Sequence, residues 1–354
     1  MNKTKNILVT GAGGPAAISF INAIAHLGHS IVAADMDPHA AGLYVDQVEK
    51  NALILPGSHL NFAEHLLMVC IEHRIDILVP TVDKELLPIS RHRNEFKKHG
   101  IDILIAPETT LLTCLDKLKL HETMKNTVNC PATAVMHPDI NTKELCYPLI
   151  IKPRSGSGSK GIKMIHNATD FETHHFSEDW IIQSNLPGAE YSVDVYANNN
   201  GHIIAAVPRE RLKIDSGVAV TARTVLDPKL IELAKKVATV LNLKGVANVQ
   251  LKMDQDDNPA LLEVNPRFPG TMALTVASGV NIPAMSIHEL TGVAVETHFR
   301  EFSNIAIVRT YQEHIVCADE LEDMMHKKPF KREKAVLGKR TKLTTKVDTQ
   351  AQEL

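Results

Sequence analysis

Little in this sequence suggests a chain stapled by covalent bonds or held in a membrane. Its five cysteines (Cys70, Cys114, Cys130, Cys146 and Cys317) are scattered, with no CxxC pair, which excludes a disulfide scaffold and fits a reduced compartment. No stretch approaches the ~18 uninterrupted apolar residues of a membrane span, so no membrane partner is expected. The N-terminus, MNKTKNILVTGAGG, passes from polar residues straight into a strand-like run. It lacks the apolar core and cleavage site of a signal peptide, and a cytoplasmic setting is the expectation. The histidines are dispersed apart from His174-His175 and offer no zinc spacing. Neither a Ser-His-Asp set nor a nucleophilic cysteine is evident, and no internal repeat appears.

What is present is ordinary globular composition: 44% apolar and 22% charged residues over 354 positions. Such a length suits two domains or three small ones, and can bury roughly 75% of the unfolded surface without a metal staple. Residues 327–346 carry nine Lys/Arg and one acid, Glu333, a net of +8 in a chain of net −3, so the remainder carries −11. An acidic body argues against a nucleic-acid partner, and the basic segment reads as a solvated tail.

The first third alternates strands and helices. Strands are expected at Asn6–Thr10, Ser30–Ala34, Ala52–Leu55, Ile77–Val79 and Ile103–Ile105, with helices over Pro15–Leu27, 61–73 and 84–98. That order predicts a doubly wound parallel sheet over residues 1–110. Beyond it, Thr110–Asn126 reads as one helix or two short ones. Strands are expected at Pro148–Lys152, Ile162–Ile165, Trp180–Gln183, Glu190–Ala197, Ile203–Val207, Gly245–Met253 and Ala260–Val264. A helix over Asp227–Leu241 has Asp227 as N-cap and Pro228 at its first position. The texture is α+β.

Chemistry could sit in three places. Gly11-Ala-Gly13-Gly14-Pro-Ala16 lies between a strand and a helix, and Asp35 closes the next strand. This fits the dinucleotide pattern, but a glycine turn that merely reverses the chain is the preferred reading. Lys152-Pro-Arg-Ser-Gly-Ser-Gly-Ser-Lys160-Gly161 places a strand-end lysine before a Gly/Ser loop, so that backbone N–H groups and two ammonium groups could close over phosphate. The third place is Gln250 with Leu262-Glu263-Val264-Asn265-Pro266-Arg267. A four-residue loop, 255–258, pairs Asp254 with Pro259, and the same register sets Gln250 against Glu263 and Asn248 against Asn265. Val249, Leu251, Leu262 and Val264 then form the apolar face. Carboxylate and amide oxygens gathered in this way suit Mg²⁺.

Taken together, NILVTGAGG, DKLKLHETM, YPLIIKPRSGSGSKGI, IIQSNLPGAEYSVDVY, GVANVQLKMD and LLEVNPRFPGT resemble, in order and spacing over about residues 5–295, the ATP-grasp superfamily. The branch they resemble is that of the carbamoyl-phosphate-synthetase-like carboxylate–amine ligases. The resemblance implies a pre-ATP-grasp domain (1–110), a small lobe with a glycine-rich lid (111–186), a large lobe with the metal site (187–325) and a basic tail (326–354). It implies ATP with two Mg²⁺ ions, for which Mn²⁺ can substitute. Lys117 and Lys152 would contact phosphates, and Ser155, Gly156, Ser157, Gly158 and Gly161 would form the lid. Gln183, Ser184 and Leu186 would lie in the adenine hinge, and Glu190 near nucleotide and metals. Glu263 would bridge both ions, with Gln250 on one and Asn265 on the other. Arg267 would hold the transferred phosphoryl or the substrate carboxylate.

The chain departs from the family pattern in having no hinge glutamate, glutamine at 250, and Gly270 where that branch carries an arginine. It also has one ATP-grasp half where carbamoyl-phosphate synthesis uses two, so that reaction is not expected. The implied activity is an ATP-dependent ligase that phosphorylates a small-molecule carboxylate and joins it to an amine, in a homodimer. Competing expectations are an NAD(P)-dependent oxidoreductase using Gly11–Asp35 and a non-catalytic ATP- or metabolite-binding protein. Arg209, Arg211, Arg223 and Arg309 are candidates for gripping a carboxylate. Residues 296–325, with a strand-like Asn304–Tyr311, would help to shape that pocket.

Overall fold

The computed structural model describes residues 4–327, apart from 138, 157, 159–160, 173–177 and 296. Ser157 and Lys160 of the glycine-rich loop, His174-His175 and the basic segment beyond 327 lie outside the described residues.

The N-terminal unit runs β1 (Asn6–Thr10), α1 (Pro15–Ile24), β2 (Ser30–Asp35), β3 (Lys50–Leu53), α2 (Phe62–Glu72), β4 (Ile77–Val79), α3 (Asp83–Arg91), α4 (Arg93–Lys98) and β5 (Asp102–Ile103). Its five strands are parallel in the order β3-β2-β1-β4-β5. Alternate residues of β1 serve opposite cores: Ile7 and Val9 pack with Phe20, Ile21 and Ile24, and Leu8 with Phe62, Leu66 and Phe96. Burial on both faces is why these strands read as continuous apolar runs. The strand order reverses at β1/β4, so a crevice opens beyond their carboxyl ends. The third and fifth strands fall slightly earlier than expected. The ladder nonetheless continues past them, with Ile54 N–H on Asp35 O at 2.9 Å and Leu104 N–H on Leu78 O at 2.9 Å. The first helix ends at Ile24 and finishes as a 3₁₀ turn, Ala25–Leu27.

The next unit comprises α5 (Glu108–Cys114), α6 (Lys117–Met124), β6 (Thr133–Val135), β7 (Leu149–Pro153), β8 (Lys163–Ile165), α7 (Ala168–Glu172) and β9 (Trp180–Ser184). Its antiparallel sheet has the order β6-β9-β7-β8. The stretch 110–126 is two helices because Asp116 caps the second, its carboxylate accepting from Leu118 N at 3.0 Å and Lys119 N at 3.3 Å.

The last unit holds β10 (Glu190–Ala197), β11 (Ile203–Asp215), β12 (Val218–Thr224), α8 (Pro228–Val240), β13 (Gly245–Met253), β14 (Pro259–Asn265), α9 (Met272–Ala277), α10 (Ile282–Leu290), β15 (Ala306–Val308) and α11 (Ala318–His326). Its antiparallel sheet has the order β14-β13-β10-β11-β12-β15. One face buries Val193, Val195, Val249 and Leu251 against Leu230, Ala234 and Val237 of α8. The other carries Glu190, Ser192, Asn248, Gln250, Arg209 and Arg211 toward a cavity. Strand β12 and the outer half of β11 are absent from the sequence reading. Their signal was Ser216-Gly217, whose positive φ values of 49° and 81° make a tight hairpin turn.

The β13–β14 hairpin corrects the expected register. Met253, and not Asp254, faces Pro259, and the register shifts between Gln250 and Leu251. The shift places Leu262 as an extra residue on β14, which restores Gln250 opposite Glu263 and Asn248 opposite Asn265. Leu262 therefore turns to the cavity beside Glu263, and Leu261, 3% exposed, takes the core position expected for Leu262.

Under the crevice, Glu85 of α3 is 5% exposed and hydrogen-bonded by the Thr10 hydroxyl. Burial pushes its carboxyl up to about 8; the charges of Asp35 and Asp83 add to this and the Thr10 bond opposes it. The folded chain thus holds this proton more tightly than the unfolded one. The resulting stabilisation is complete below the unfolded value of 4.5 and is lost as the pH rises to about 8. Melting temperature is expected to fall from about pH 5 to about pH 8, and Glu85→Gln, always neutral, is expected to flatten that slope. A slope unchanged by the substitution would mean that another group carries the effect.

Candidate functional site

A cavity of about 470 Å³ lies where the three units meet. Two distant lysines form one wall. Lys152 comes from β7 and Lys117 from the first turn of α6, and one ion pair braces both segments: Arg154 Nη2 lies 2.6 Å from Asp116 Oδ2. The Lys117 amide also donates to Arg154 O at 3.0 Å. Lys117 Nζ donates to Gly156 O at 2.9 Å and stands 3.9 Å from Glu263 Oε2. Lys152 is 5% exposed, and among the described residues its ammonium has no hydrogen-bond or ion-pair partner. Burial pushes it down to about 8; the charge of Glu263 opposes the shift, Lys117 adds to it and Glu190 opposes it. A buried ammonium beside a second one is a place for an anion.

The sheet forms the opposite wall. Glu263, Asn265 and Gln250 line the cavity together, and Asn265 Nδ2 reaches Glu263 Oε1 at 3.3 Å. One carboxylate with two amides is an incomplete cage. Among the described residues no group of three or more His, Cys, Asp or Glu side chains could hold a metal ion. The donor set fits a hard cation that completes its shell with water and phosphate oxygens, as Mg²⁺ does. Glu190 lines the same wall, held by Arg211 Nη1 at 2.9 Å, while Arg211 Nη2 donates to Gly217 O at 2.9 Å. Gly217 in turn packs on the glycine-rich loop: a Cβ there would lie 3.3 Å from the Gly158 Cα at a φ of +81°, so a side chain would push the loop away.

Of the other sequence-selected residues, Ser155, Gly156, Gly158 and Arg267 also line the cavity, whereas Gly161, Gln183, Ser184 and Leu186 do not. Gly161 faces Pro153 and Trp180. Gln183 is 5% exposed and spends its amide on Thr133 Oγ1 at 2.9 Å, and Ser184 N–H is taken by Ala132 O at 2.9 Å. Among the described residues the Leu186 N–H has no backbone partner.

The arginines divide sharply. Arg267 is clamped by Asp83 of the N-terminal unit, Nε to Oδ1 at 2.7 Å and Nη2 to Oδ2 at 2.8 Å. Burial works against its charge, but Asp83 outweighs that and raises its pKa. Arg209 is buried on Asp194, which also accepts from Asn248 at 2.8 Å and Thr275 at 2.6 Å. Arg211 pairs with Glu190, and Arg223 with Glu210 at 2.6 Å. Arg309 alone of the four carboxylate candidates has no acid among the described residues. It donates to Gly270 O, its Nε is buried without a partner, and burial and then Arg209 lower its pKa. Asp83, Asp194 and the Asp116–Arg154 brace were missed from sequence, because no local pattern announces a partner so distant along the chain.

At the N-terminal wall the cavity reaches Gly11, Gly14, Asp35 and Thr81. The turn Ala41–Leu43 lies directly on the glycine loop. Gly42 N–H donates to Ala12 O at 3.1 Å, and a Cβ on Gly42 would stand 2.2 Å from that oxygen. Gly42 thus closes one side of the loop at Ala12, while Gly11 and Gly14 still line the cavity.

Residues 176–313 match the family model described as ATP-grasp in the biosynthetic pathway with Ter operon, and residues 7–104 the PylC-like N-terminal domain. The chain is 26% identical over 218 residues to the carbamoyl phosphate synthase large chain of Clostridium acetobutylicum, covering 55% of this chain and 20% of that one. It is 24% identical over 220 residues to the D-alanine–D-alanine ligase of Petrotoga mobilis, covering 56% and 72%. The match thus spans about a fifth of the synthase, and more of the ligase. A biotin carboxylase complex from Campylobacter jejuni superposes with a TM-score of 0.68 at 18% identity, over 83% of this chain and 72% of that one. The chain therefore carries an ATP-grasp domain match over residues 176–313, preceded by a PylC-like N-terminal domain match over residues 7–104.

The Asp83–Arg267 clamp ties two units together, and cutting it strands a half-buried guanidinium. Asp83→Ala is expected to lower unfolding stability by about 2–4 kcal/mol in urea titrations. A loss near zero would show the pair to be a surface contact.

Proposed function

We propose that this protein is an ATP-dependent carboxylate–amine ligase. The observation that carries the reading is the convergence of Lys117 and Lys152 with Glu263, Asn265 and Gln250 on one cavity that also reaches the N-terminal crevice. In this reading the triphosphate lies on the two lysines under Gly156 and Gly158, and Ser184 O and Leu186 N–H take the adenine edge. Glu263, Asn265 and Gln250 would hold Mg²⁺, which when bound neutralises charge on the transferring phosphoryl group. A substrate carboxylate, gripped by Arg309, forms a bond to the γ-phosphorus as the bond to ADP breaks. The amine then attacks the acyl carbon, phosphate leaves, and an amide or peptide bond remains. Lys152 and Lys117 stabilise negative charge during the first step, and Arg267, oriented by Asp83, faces the transferred group. The glycine loop keeps water from the acyl phosphate.

The test is Mg²⁺-dependent phosphate release from ATP over pools of amino acids and other carboxylates, with hydroxylamine to trap an acyl phosphate as a hydroxamate. Glu263→Gln is expected to lower turnover by about 10²–10³-fold. Unchanged turnover would remove Glu263 from the site, and a wild type that forms no hydroxamate with any carboxylate would remove the ligase reading.

A further inference from the structure

The charges around the cavity balance in pairs, with one exception on the acidic side. Four acids line it: Asp35, Asp83, Glu190 and Glu263. Asp83 is clamped by Arg267, Glu190 by Arg211, and Glu263 faces Lys117 at 3.9 Å. Asp35 has no cation among the described residues. Its carboxylate is fixed at the end of β2 by two backbone donors, Gly13 N–H at 2.8 Å on Oδ2 and Asp37 N–H at 3.0 Å on Oδ1. A carboxylate oxygen accepts more than one bond, so both oxygens keep capacity toward the cavity.

The position is as telling as the charge. Asp35 shares its wall with Gly11, Gly14 and Thr81 at the reversal point of the N-terminal sheet, whereas the lysine pair belongs to the neighbouring unit. The cavity is therefore polar along its length, with cations at the lysine wall and an uncompensated anion at the crevice. Glu85, behind that wall, registers the negative charge, since Asp35 adds to the upward shift of its carboxyl. A carboxylate held rigid without a counter-ion at the edge of a cavity is preorganised for a cation brought by a ligand.

We propose that Asp35 binds the positive charge of the amine substrate, so that the ammonium enters along the N-terminal wall and gives one proton through Asp35 to water; the neutral amine then bonds to the acyl carbon of the activated carboxylate held at the Arg267–Arg309 side as the bond to phosphate breaks, and phosphate leaves with the second proton. This inference rests on the ligase reading. It names Asp35, which lies outside the ATP-grasp motifs of the sequence, as the residue that selects a cationic amine.

The probes are glycine, L-alanine, L-lysine and ethylamine, titrated by thermal shift against the full chain with and without MgADP. At least one is expected to stabilise the wild type, and its fully N-acetylated derivative (acetylated at both nitrogens for L-lysine), which has lost the cation, is expected not to; this comparison needs no variant. In Asp35→Asn, which keeps an oxygen for the Gly13 N–H but not the charge, the half-maximal concentration is expected to rise at least tenfold. Asp35→Glu is expected to recover part of the loss. In turnover, the ratio of kcat/KM for that amine to kcat/KM for neutral hydroxylamine is expected to fall at least tenfold in Asp35→Asn. An unchanged ratio, equal binding of the N-acetyl derivatives, or no stabilisation by any probe would overturn the proposal. Failure of hydroxamate formation in the wild type would instead count against the ligase reading, and the binding titrations would still decide the role of Asp35.

Discussion

Two ammonium groups from distant segments, Lys117 and Lys152, must be held in one cavity wall with a single carboxylate, Glu263, 3.9 Å from Lys117. Like charges in a half-dry cavity repel, and burial alone already pushes Lys152 toward neutrality. The fold holds them with a second pair of charges set behind the first. Asp116 caps the helix that begins with Lys117 and also receives Arg154, two residues beyond Lys152. The brace thus supplies both the helix start and the spacing of the lysines. Glu263 across the cavity supplies part of the missing negative charge. What remains uncompensated is the electrostatic opening for a polyanion.

The same pairing logic extends over the sheet face. Asp194 collects Arg209, Asn248 and Thr275, which leaves that arginine neutralised and rigid. Glu190 fixes Arg211, and Arg211 fixes the turn on which the glycine-rich loop rests. Asp83 fixes Arg267 from another unit, so the position of a cavity-lining arginine depends on how two units dock. Groups tied in this way cost little reorganisation when substrate arrives, which is what a phosphoryl-transfer site asks of its residues. Among the described residues, Lys152 and Asp35 line the cavity without an ion-pair partner.

Much of this was legible beforehand. Buried parallel strands such as Asn6–Thr10 advertise themselves by an unbroken apolar run, and Asp227-Pro228 marks a helix start by local capping chemistry. The pairing of Gln250 with Glu263 was anticipated on a loop one residue too short, and a bulge at Leu262 made good the difference. Such a bulge leaves no mark in composition, because either Leu261 or Leu262 could fill the core. Strand β12 was missed because its alternation is blurred by small and polar residues, although Ser216-Gly217 signalled a turn.

The sequence by itself therefore determined the doubly wound first unit, the lysine-flanked glycine loop and the face that gathers Glu263, Asn265 and Gln250. Each is written in a local period or a short motif, and those forces act over a few residues. Only the tertiary structure decided which arginines are already taken, that Asp83 holds Arg267, that Gly42 packs on Ala12 of the glycine turn, and that Asp35 has no cation among the described residues. Charge compensation depends on distance in space, and residues far apart along the chain meet only once the three units have docked.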